Sequence, residues 1–160
     1  MVNKSSLVKK IIAQLSAELE SFAKAARAAH AEATHESSKA ENKYDTRGLE
    51  ASYLAQGQSK QAAEVAQAIE DFQALPARTF TAGDGIDVGA LVELKSKSES
   101  AFYFVGPRAG GTEVLHEKKE VLVITPQSPL GQQLAGRKQG DAVKLHIAGA
   151  SNEFRIASVA

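Results

Sequence analysis

Apolar positions in the first half of the chain recur with the spacing of long amphipathic helices. Apolar or small residues alternate in steps of four and three at Val8, Ile12, Leu15, Leu19, Phe22, Ala26, Ala29 and Ala33. The same steps separate Ala51, Ala55, Gln58, Ala62, Val65, Ile69 and Phe72. This spacing is typical of a coiled-coil seam, so each segment is predicted to be a helix with one stripe to bury.

The stretch between the two stripes predicts that the chain folds back on itself. Residues 35–46 lack the periodicity, and their serine and asparagine side chains favour turns by competing for backbone hydrogen bonds. A reversal near Asn42 pairs Leu15 with Ile69, so that neither stripe stays exposed. The sequence therefore predicts an antiparallel coiled-coil hairpin over residues 1–75, with its tip near 35–46.

The composition of the seam changes along the hairpin. Leucine, isoleucine, phenylalanine and valine dominate near the base, whereas the positions near the turn are nearly all alanine. Small seam residues let two helices approach closely, and their burial stabilises the pair only weakly. Arms of about 30 residues would span about 45 Å. The pattern predicts a slim rod suited to a narrow space, with an ordinary solvent-exposed hairpin as the alternative.

A different pattern begins after the second helix. Pro76 cannot continue that helix because it lacks an N–H group, and residues 76–85 are predicted to be a linker. Alternating apolar residues then predict short strands. They fall at Val88–Leu94, Ala101–Val105, Val114–Leu115, Val121–Thr125, Ala142–Ile147 and Glu153–Val159.

One short helix is predicted among these strands. Ser128 has the residue type of an N-cap, Pro129 suits the first helical position, and Gly136 suits the position past the end. Residues 86–160 are therefore predicted to form a mostly antiparallel sheet with a helix packed on it. The fold class predicted for the chain is α+β, a helical hairpin followed by a sheet domain.

Composition and charge limit the cellular compartments and the classes of binding partner that the sequence predicts. The 160 residues have a formal net charge of zero, which gives no basic field for nucleic acid or a membrane surface. No apolar run is long enough to span a membrane or to serve as a signal peptide. The absence of cysteine excludes disulfides and thiolate metal sites. His30 and His35 have no third histidine nearby and are predicted to be surface residues. These features predict a cytoplasmic protein without membrane contact.

Several motifs in the second half resemble a known family. Ser128-Pro129-Leu130-Gly131, residues 134–138, Gly140-Asp141-Ala142-Val143 and the closing strand 153–156 are similar to the C-terminal signature of the bacterial Gre transcript-cleavage factors, the GreA/GreB-like elongation factors. Tyr103-Phe104-Val105-Gly106 resembles a strand of the same family. The order of hairpin and sheet also matches, so the resemblance covers nearly the whole chain.

The resemblance implies a role in transcription. It implies an FKBP-like C-terminal domain that docks on RNA polymerase at the mouth of the secondary channel, through the positions of Ser128, Pro129 and Leu130. The coiled coil would enter the channel and bring acidic tip residues to the active site. The polymerase itself would cleave the RNA of a backtracked complex. The chain would then be an accessory factor with no cofactor of its own, acting at the polymerase's Mg²⁺ and contacting nascent RNA indirectly.

The tip carries candidate carboxylates for that chemistry. Mg²⁺ prefers oxygen ligands, and two-metal phosphoryl transfer uses carboxylates to hold the ions. Glu41 and Asp45 are the predicted catalytic pair and shared Mg²⁺ ligands, and Glu36 is the third candidate. A plain N-cap is the alternative role for Asp45, and a solvated loop charge is the alternative for Glu41.

Departures from the family pattern leave other functions open. When Glu41 is placed on the glutamate of the family tip, Ser38 occupies the aspartate position. The first alternative is therefore a polymerase-binding channel factor without cleavage activity, acting as a blocker or an initiation modulator. An FKBP-like isomerase or chaperone and a coiled-coil adaptor are further alternatives. Gln127 replaces the acidic residue before Ser-Pro, and the alternative for Leu130 and Pro129 is a purely structural role in the core and helix start.

Overall fold

The structure is a computed structural model that describes residues 3–34, 47–147 and 150–160. Two long helices precede a sheet, which confirms the predicted α+β class. The helices and strands are α1 (Lys4–Thr34), α2 (Arg47–Gln73), β1 (Leu91–Lys95), β2 (Ser100–Val105), β3 (Glu113–His116), β4 (Lys119–Ile124), α3 (Pro129–Leu134), β5 (Ala142–Ile147) and β6 (Ala150–Val159). Within the described ranges, no helix is long and apolar enough to cross a membrane.

Helix α1 begins earlier than its serines suggest. The amide oxygen of Asn3 accepts a hydrogen bond from the N–H of Ser6 at 3.1 Å, and the carbonyl of Asn3 accepts one from Leu7. Asn3 therefore has the hydrogen bonds of an N-cap, a position for which the residue type of Ser5 or Ser6 would also be suited. The asparagine side chain has the reach to accept from the third residue onward, so it starts the helix at Lys4.

The chain divides into two compact units. One consists of Met1–Gln14 with Glu70–Ala160, and the other of Leu15–Ile69. The first unit therefore includes the start of α1 and the end of α2 together with the whole sheet. In the second unit Leu15, Ala29 and Ala68 are buried, and seam positions such as Leu19 and Val65 are partly shielded. The antiparallel coiled-coil pairing stays a prediction.

The sheet has six strands in the order β3-β4-β2-β1-β6-β5. All neighbouring strands are antiparallel except β2 and β4, which pair in parallel with Phe104 opposite Val123. The chain returns to the same direction there because β3 lies between these strands in sequence and pairs on the outer side of β4. The sheet is thus mixed, and mostly antiparallel as predicted.

The main core lies on one face of this sheet. Val92 and Leu94 of β1, Val105 of β2 and Ile124 of β4 are buried in a cluster with Leu134 of α3. The predicted inward positions Val88–Leu94 contribute as expected, but the strand itself starts at Leu91. Gly89 has a φ of +97° in the preceding turn, a left-handed conformation that breaks the extended chain before β1.

The opposite face of the central strands receives the end of α2. The rings of Phe72 and Phe104 stack with centroids 6.2 Å apart, and both side chains are buried. A Cβ at Gly106 would lie 2.7 Å from the Phe72 ring and 3.0 Å from Val123. Phe72 therefore reaches β2 and β4 only because position 106 has no side chain.

The start of α1 belongs to the same unit. Leu7 and Ile11 are each 0% exposed and follow Lys4 on one helix face. The Lys4 ammonium donates to the carbonyl oxygens of Arg78, Gly89 and Ala160, the last two at 3.0 Å. Burial lowers the pKa of Lys4, and the charge of Arg78 adds to that shift. These bonds hold the helix start against three separate parts of the chain.

The segment predicted as a linker also enters the core. Phe80 is 4% exposed, and the charged groups of Lys4 and Arg78 lie 4.9 Å and 4.3 Å from its ring centroid. Cation–π contacts of this kind stabilise a partly buried cation by about 0.5–2 kcal/mol. The residues between α2 and β1 therefore contribute to the packing of the first compact unit, which we call the sheet unit.

The buried helix face can be tested with two leucine substitutions of the same chemistry. We expect Leu7→Ala to lower the free energy of unfolding by about 2–5 kcal/mol, because Leu7 is completely buried. Leu115→Ala should change it by less than about 0.5 kcal/mol, because Leu115 is 64% exposed. Urea denaturation followed by circular dichroism measures both. Equal effects from the two variants would contradict the packing described here.

Candidate docking site

The predicted docking segment begins with a fully bonded serine. Ser128 has extended backbone angles, φ −67° and ψ 155°, and its hydroxyl oxygen accepts a hydrogen bond from the N–H of Gly131 at 3.1 Å. The same hydroxyl donates to the carbonyl oxygen of Thr125 at 2.7 Å. Pro129 occupies the first helical position, as predicted. The Ser128 side chain therefore builds α3 and has no free donor for a partner.

Gly131 allows α3 to lie directly on the strand that precedes it. A Cβ at this position would stand 1.8 Å from the carbonyl oxygen and 2.7 Å from the carbonyl carbon of Thr125. Backbone atoms cannot move aside as a flexible side chain can. The position requires glycine for this close approach, and the approach fixes where the exposed side of α3 lies.

The other end of α3 is fastened to the segment before β1. Leu134 is completely buried, and Gly136 ends the helix with a φ of +78°. The N–H of Gly136 donates to the carbonyl of Ile86 at 3.0 Å, and the N–H of Ile86 donates to the carbonyl of Arg137 at 2.8 Å. The short helix is therefore held at both ends and forms a rigid platform.

The three predicted docking residues differ in exposure on this platform. Pro129 is exposed, whereas Leu130 is only partly exposed and packs against the main core. Ser128 is also partly buried and is used for capping. Pro129 is therefore the member of the three that offers the most surface to a partner. Leu130 combines a structural role with a partly accessible apolar surface.

The surface around Pro129 is polar but mostly uncharged. Gln127 and Gln132 are exposed, and the amide nitrogen of Gln132 donates to the backbone carbonyl of Gln127 at 3.1 Å. No acidic residue lies in the first turn of α3. The exposed surface at the start of α3 therefore consists of the Pro129 ring and the side-chain amides of Gln127 and Gln132.

Lys138, one of the basic residues that follow α3, has acidic groups nearby. Lys138 lies near Asp84, whose pKa is lowered mainly by hydrogen bonds from the N–H and hydroxyl of Thr81, with smaller contributions from the charges of Arg78 and Lys138. The carboxylate of Asp141 accepts the backbone N–H of Lys138 at 2.8 Å. Acidic groups thus lie close to Lys138.

The predicted catalytic residues cannot be placed in the same way. Glu36, Glu41 and Asp45 lie outside the described residues, and so does their predicted joint binding of Mg²⁺. In the ranges that the structure describes, no group of three or more histidine, aspartate or glutamate side chains is arranged to hold a metal ion.

Two further surface residues near the platform were not singled out from the sequence. Arg137 and Lys144 line a groove of about 530 Å³ beside α3, together with Gln132 and Gln133. They come from the turn after α3 and from β5, seven positions apart on different elements. Because they lie on different elements, the period of a single helix or strand cannot relate them, and only the folded chain brings them to one groove.

A pair of glycine substitutions tests the close approach at α3. Gly131→Ala should destabilise the sheet unit by at least about 1–3 kcal/mol, because the new methyl group would overlap the Thr125 backbone. Gly83→Ala should have little effect, because a Cβ there meets nothing within 4 Å. Thermal unfolding of both variants measures the difference. A Gly131→Ala protein as stable as Gly83→Ala would show that α3 does not need this contact.

Comparisons with known proteins identify the family. Residues 81–160 match the family described as transcription elongation factor, GreA/GreB, C-term, which covers half of the chain, including the whole of α3. Among curated proteins no match was found.

Solved structures of similar proteins include a transcription factor named Gfh1, at 25% identity over 95% of this chain and 92% of that one, with a TM-score of 0.41. Gfh1 of Thermus thermophilus is 24% identical over 96% and 94% of the two chains, with a TM-score of 0.39. A GreA/GreB factor of Nitrosomonas europaea is 22% identical over 69% of this chain and 88% of its own, with a TM-score of 0.36. The assignment rests on the family match across 81–160: the chain belongs to the GreA/GreB family of transcription elongation factors.

Proposed function

We propose that this protein is an RNA polymerase accessory factor that rescues backtracked elongation complexes. The sheet unit docks on the polymerase, and the helical hairpin carries its tip into the secondary channel. There the tip stimulates RNA cleavage that the polymerase itself performs. The observation that carries this proposal is the family match over 81–160, which includes the α3 platform with its exposed Pro129.

The geometry of α3 supports its role in docking. Its two ends are fixed by hydrogen bonds from Ser128 and Gly136, so the surface between them loses little conformational entropy on binding. Pro129 adds a rigid apolar ring to this surface. A preformed platform of this kind suits an interface that must hold a factor in place while its other end reaches the reaction.

The tip carboxylates supply the proposed chemical role. Glu41 and Asp45 would complete the ligands of a Mg²⁺ that the polymerase already holds, and Glu36 is the next candidate. The metal ion lowers the pKa of bound water and stabilises negative charge on the phosphate. The contribution of this chain is to place carboxylate oxygens there and to orient a water molecule. The docking unit and the tip are then functionally separable.

A second candidate function is supported by one sequence observation. Ser38 stands where the family tip carries an aspartate when Glu41 is aligned with the family glutamate. A tip with one carboxylate fewer would bind polymerase and occupy the channel without stimulating cleavage. This alternative shares the docking step with the first proposal and differs only in the chemistry at the tip.

The docking step can be tested at Pro129. We expect Pro129→Asp to weaken binding to core RNA polymerase by at least about tenfold, because an unpaired charge would be buried at the interface. Aspartate is favourable in a first helical turn, so α3 should still form. Ser98→Asp introduces the same charge at an exposed turn position and should bind normally. Unchanged affinity of a folded Pro129→Asp protein would remove α3 from the interface.

The chemistry can be tested by removing the tip charges. Glu41→Ala with Asp45→Ala should abolish stimulated RNA cleavage in backtracked complexes and leave polymerase binding intact. The matched control, Glu64→Ala with Glu70→Ala, removes two exposed charges from α2 and should retain both properties. Cleavage that survives in the tip variant would place the active carboxylates elsewhere, with Glu36 tested next. A wild-type protein that binds but never stimulates cleavage would establish the second candidate function.

A further inference from the structure

The strand β5 forms an open edge of the sheet. It is the last strand in the order, and in the part of the chain that the structure describes it pairs with β6 alone. Edge strands present backbone N–H and C=O groups that can pair with another extended chain. The helix α3 lies beside this edge, so the open groups face a groove and not a flat surface.

The register of β5 shows which backbone groups are open. The N–H of Ile156 donates to the carbonyl of Asp141 at 2.9 Å, and the register continues with Val143 opposite Phe154. Bonding residues alternate along an antiparallel ladder, so Asp141 and Val143 face β6 while Ala142 and Lys144 direct their backbone groups away from it. In the described parts of the chain, no hydrogen bond reaches those outward groups.

These two residues line the groove beside α3. The groove has a volume of about 530 Å³, and its walls include Ala142 and Lys144 on one side and Gln132 and Gln133 of α3 on the other. A strand bound along β5 would lie about 4.8 Å from it, with alternate side chains pointing towards the two sides of the sheet. The helix wall would contact one of these two sets of side chains.

The positive charges that line the groove favour a negatively charged ligand. Arg137 and Lys144 are both exposed, and neither has an ion-pair partner among the described residues. None of the described residues that line the groove carries a carboxylate. A second copy of the chain is disfavoured, because antiparallel pairing of two β5 edges would bring their Lys144 and Arg137 charges together. An acidic segment would neutralise them.

We propose that the groove between α3 and β5 binds an extended acidic peptide segment of a protein partner by strand addition. The backbone groups of Ala142 and Lys144 hydrogen-bond the segment, and Arg137 with the Lys144 side chain pairs with its carboxylates. This site goes beyond the proposed docking through Pro129 and requires neither the polymerase nor the hairpin tip. The free backbone edge favours a peptide over a nucleic acid, because it supplies donors and acceptors with the spacing of a β-strand.

Binding can be measured with a defined probe. The probe is a short peptide alternating glutamate and valine, added to the isotope-labelled full chain at neutral pH. We expect saturable changes in the amide NMR signals of Ala142 and Lys144 and slower hydrogen exchange at both amides. The same peptide with lysine in place of glutamate should bind at least about tenfold more weakly. Single-stranded oligonucleotides should not produce these changes, and saturable binding of one at the same amides would overturn the peptide assignment.

Three changes separate strand addition from simple charge attraction. Ala142→Pro removes an outward N–H at the first residue of an edge strand, where proline is tolerated, and should weaken the peptide at least about fivefold. Arg137→Glu should weaken it at least about tenfold, whereas Lys97→Glu, an exposed charge reversal outside the groove, should not. A probe N-methylated on the amides that face β5 tests the same hydrogen bonds without altering the protein. Full binding of the methylated probe, or absence of saturable change at Ala142 and Lys144, would overturn the proposal.

Discussion

The packing of Phe72 against the sheet is the contact on which the architecture of the first compact unit depends. This ring stacks on Phe104, and the missing side chain at Gly106 provides the space for it. The stack anchors the end of α2 to the face of the sheet that also carries Val121 and Val123, both of which are buried. The ends of both long helices therefore belong to the sheet unit.

The position of α3 likewise depends on a glycine that permits close packing. Gly131 lets the first turn of α3 touch the Thr125 backbone, and Leu134 anchors the last turn in the main core. Helix α3 packs on one face of the sheet and the end of α2 on the other, so the neighbouring residues Phe104 and Val105 of β2 are both buried. Exposed surface remains on the outer side of α3 and along the edge of β5, which are the two surfaces proposed to bind partners.

The proposed function divides the work between two regions with different physical demands. Docking favours a rigid surface whose shape is set before binding, and α3 has that property because hydrogen bonds fix its ends. Chemistry at a metal held by another protein needs a long, thin support with carboxylates at its end. The alanine-rich stripe predicted for the hairpin would meet the first requirement of such a support, because small side chains would keep the two helices close. The family match covers residues 81–160, so the family membership of the chain does not depend on the tip sequence.

The sequence alone determined the elements whose signals are local. Heptad spacing predicted the long helices, and alternation of apolar residues predicted most strands. Ser128, Pro129 and Gly136 predicted where α3 begins and ends, because capping and turn preferences act within a few residues. Tertiary structure decided what depends on distant neighbours. Phe80 is buried although its segment was predicted as a linker, since the Lys4 and Arg78 cations lie over its ring. The parallel pairing of β2 with β4 and the shared groove of Arg137 and Lys144 have no period in the sequence. The parallel pairing arises only when two separate strands are placed side by side, and the groove only when the turn after α3 meets β5. Local residue preferences do not encode either placement.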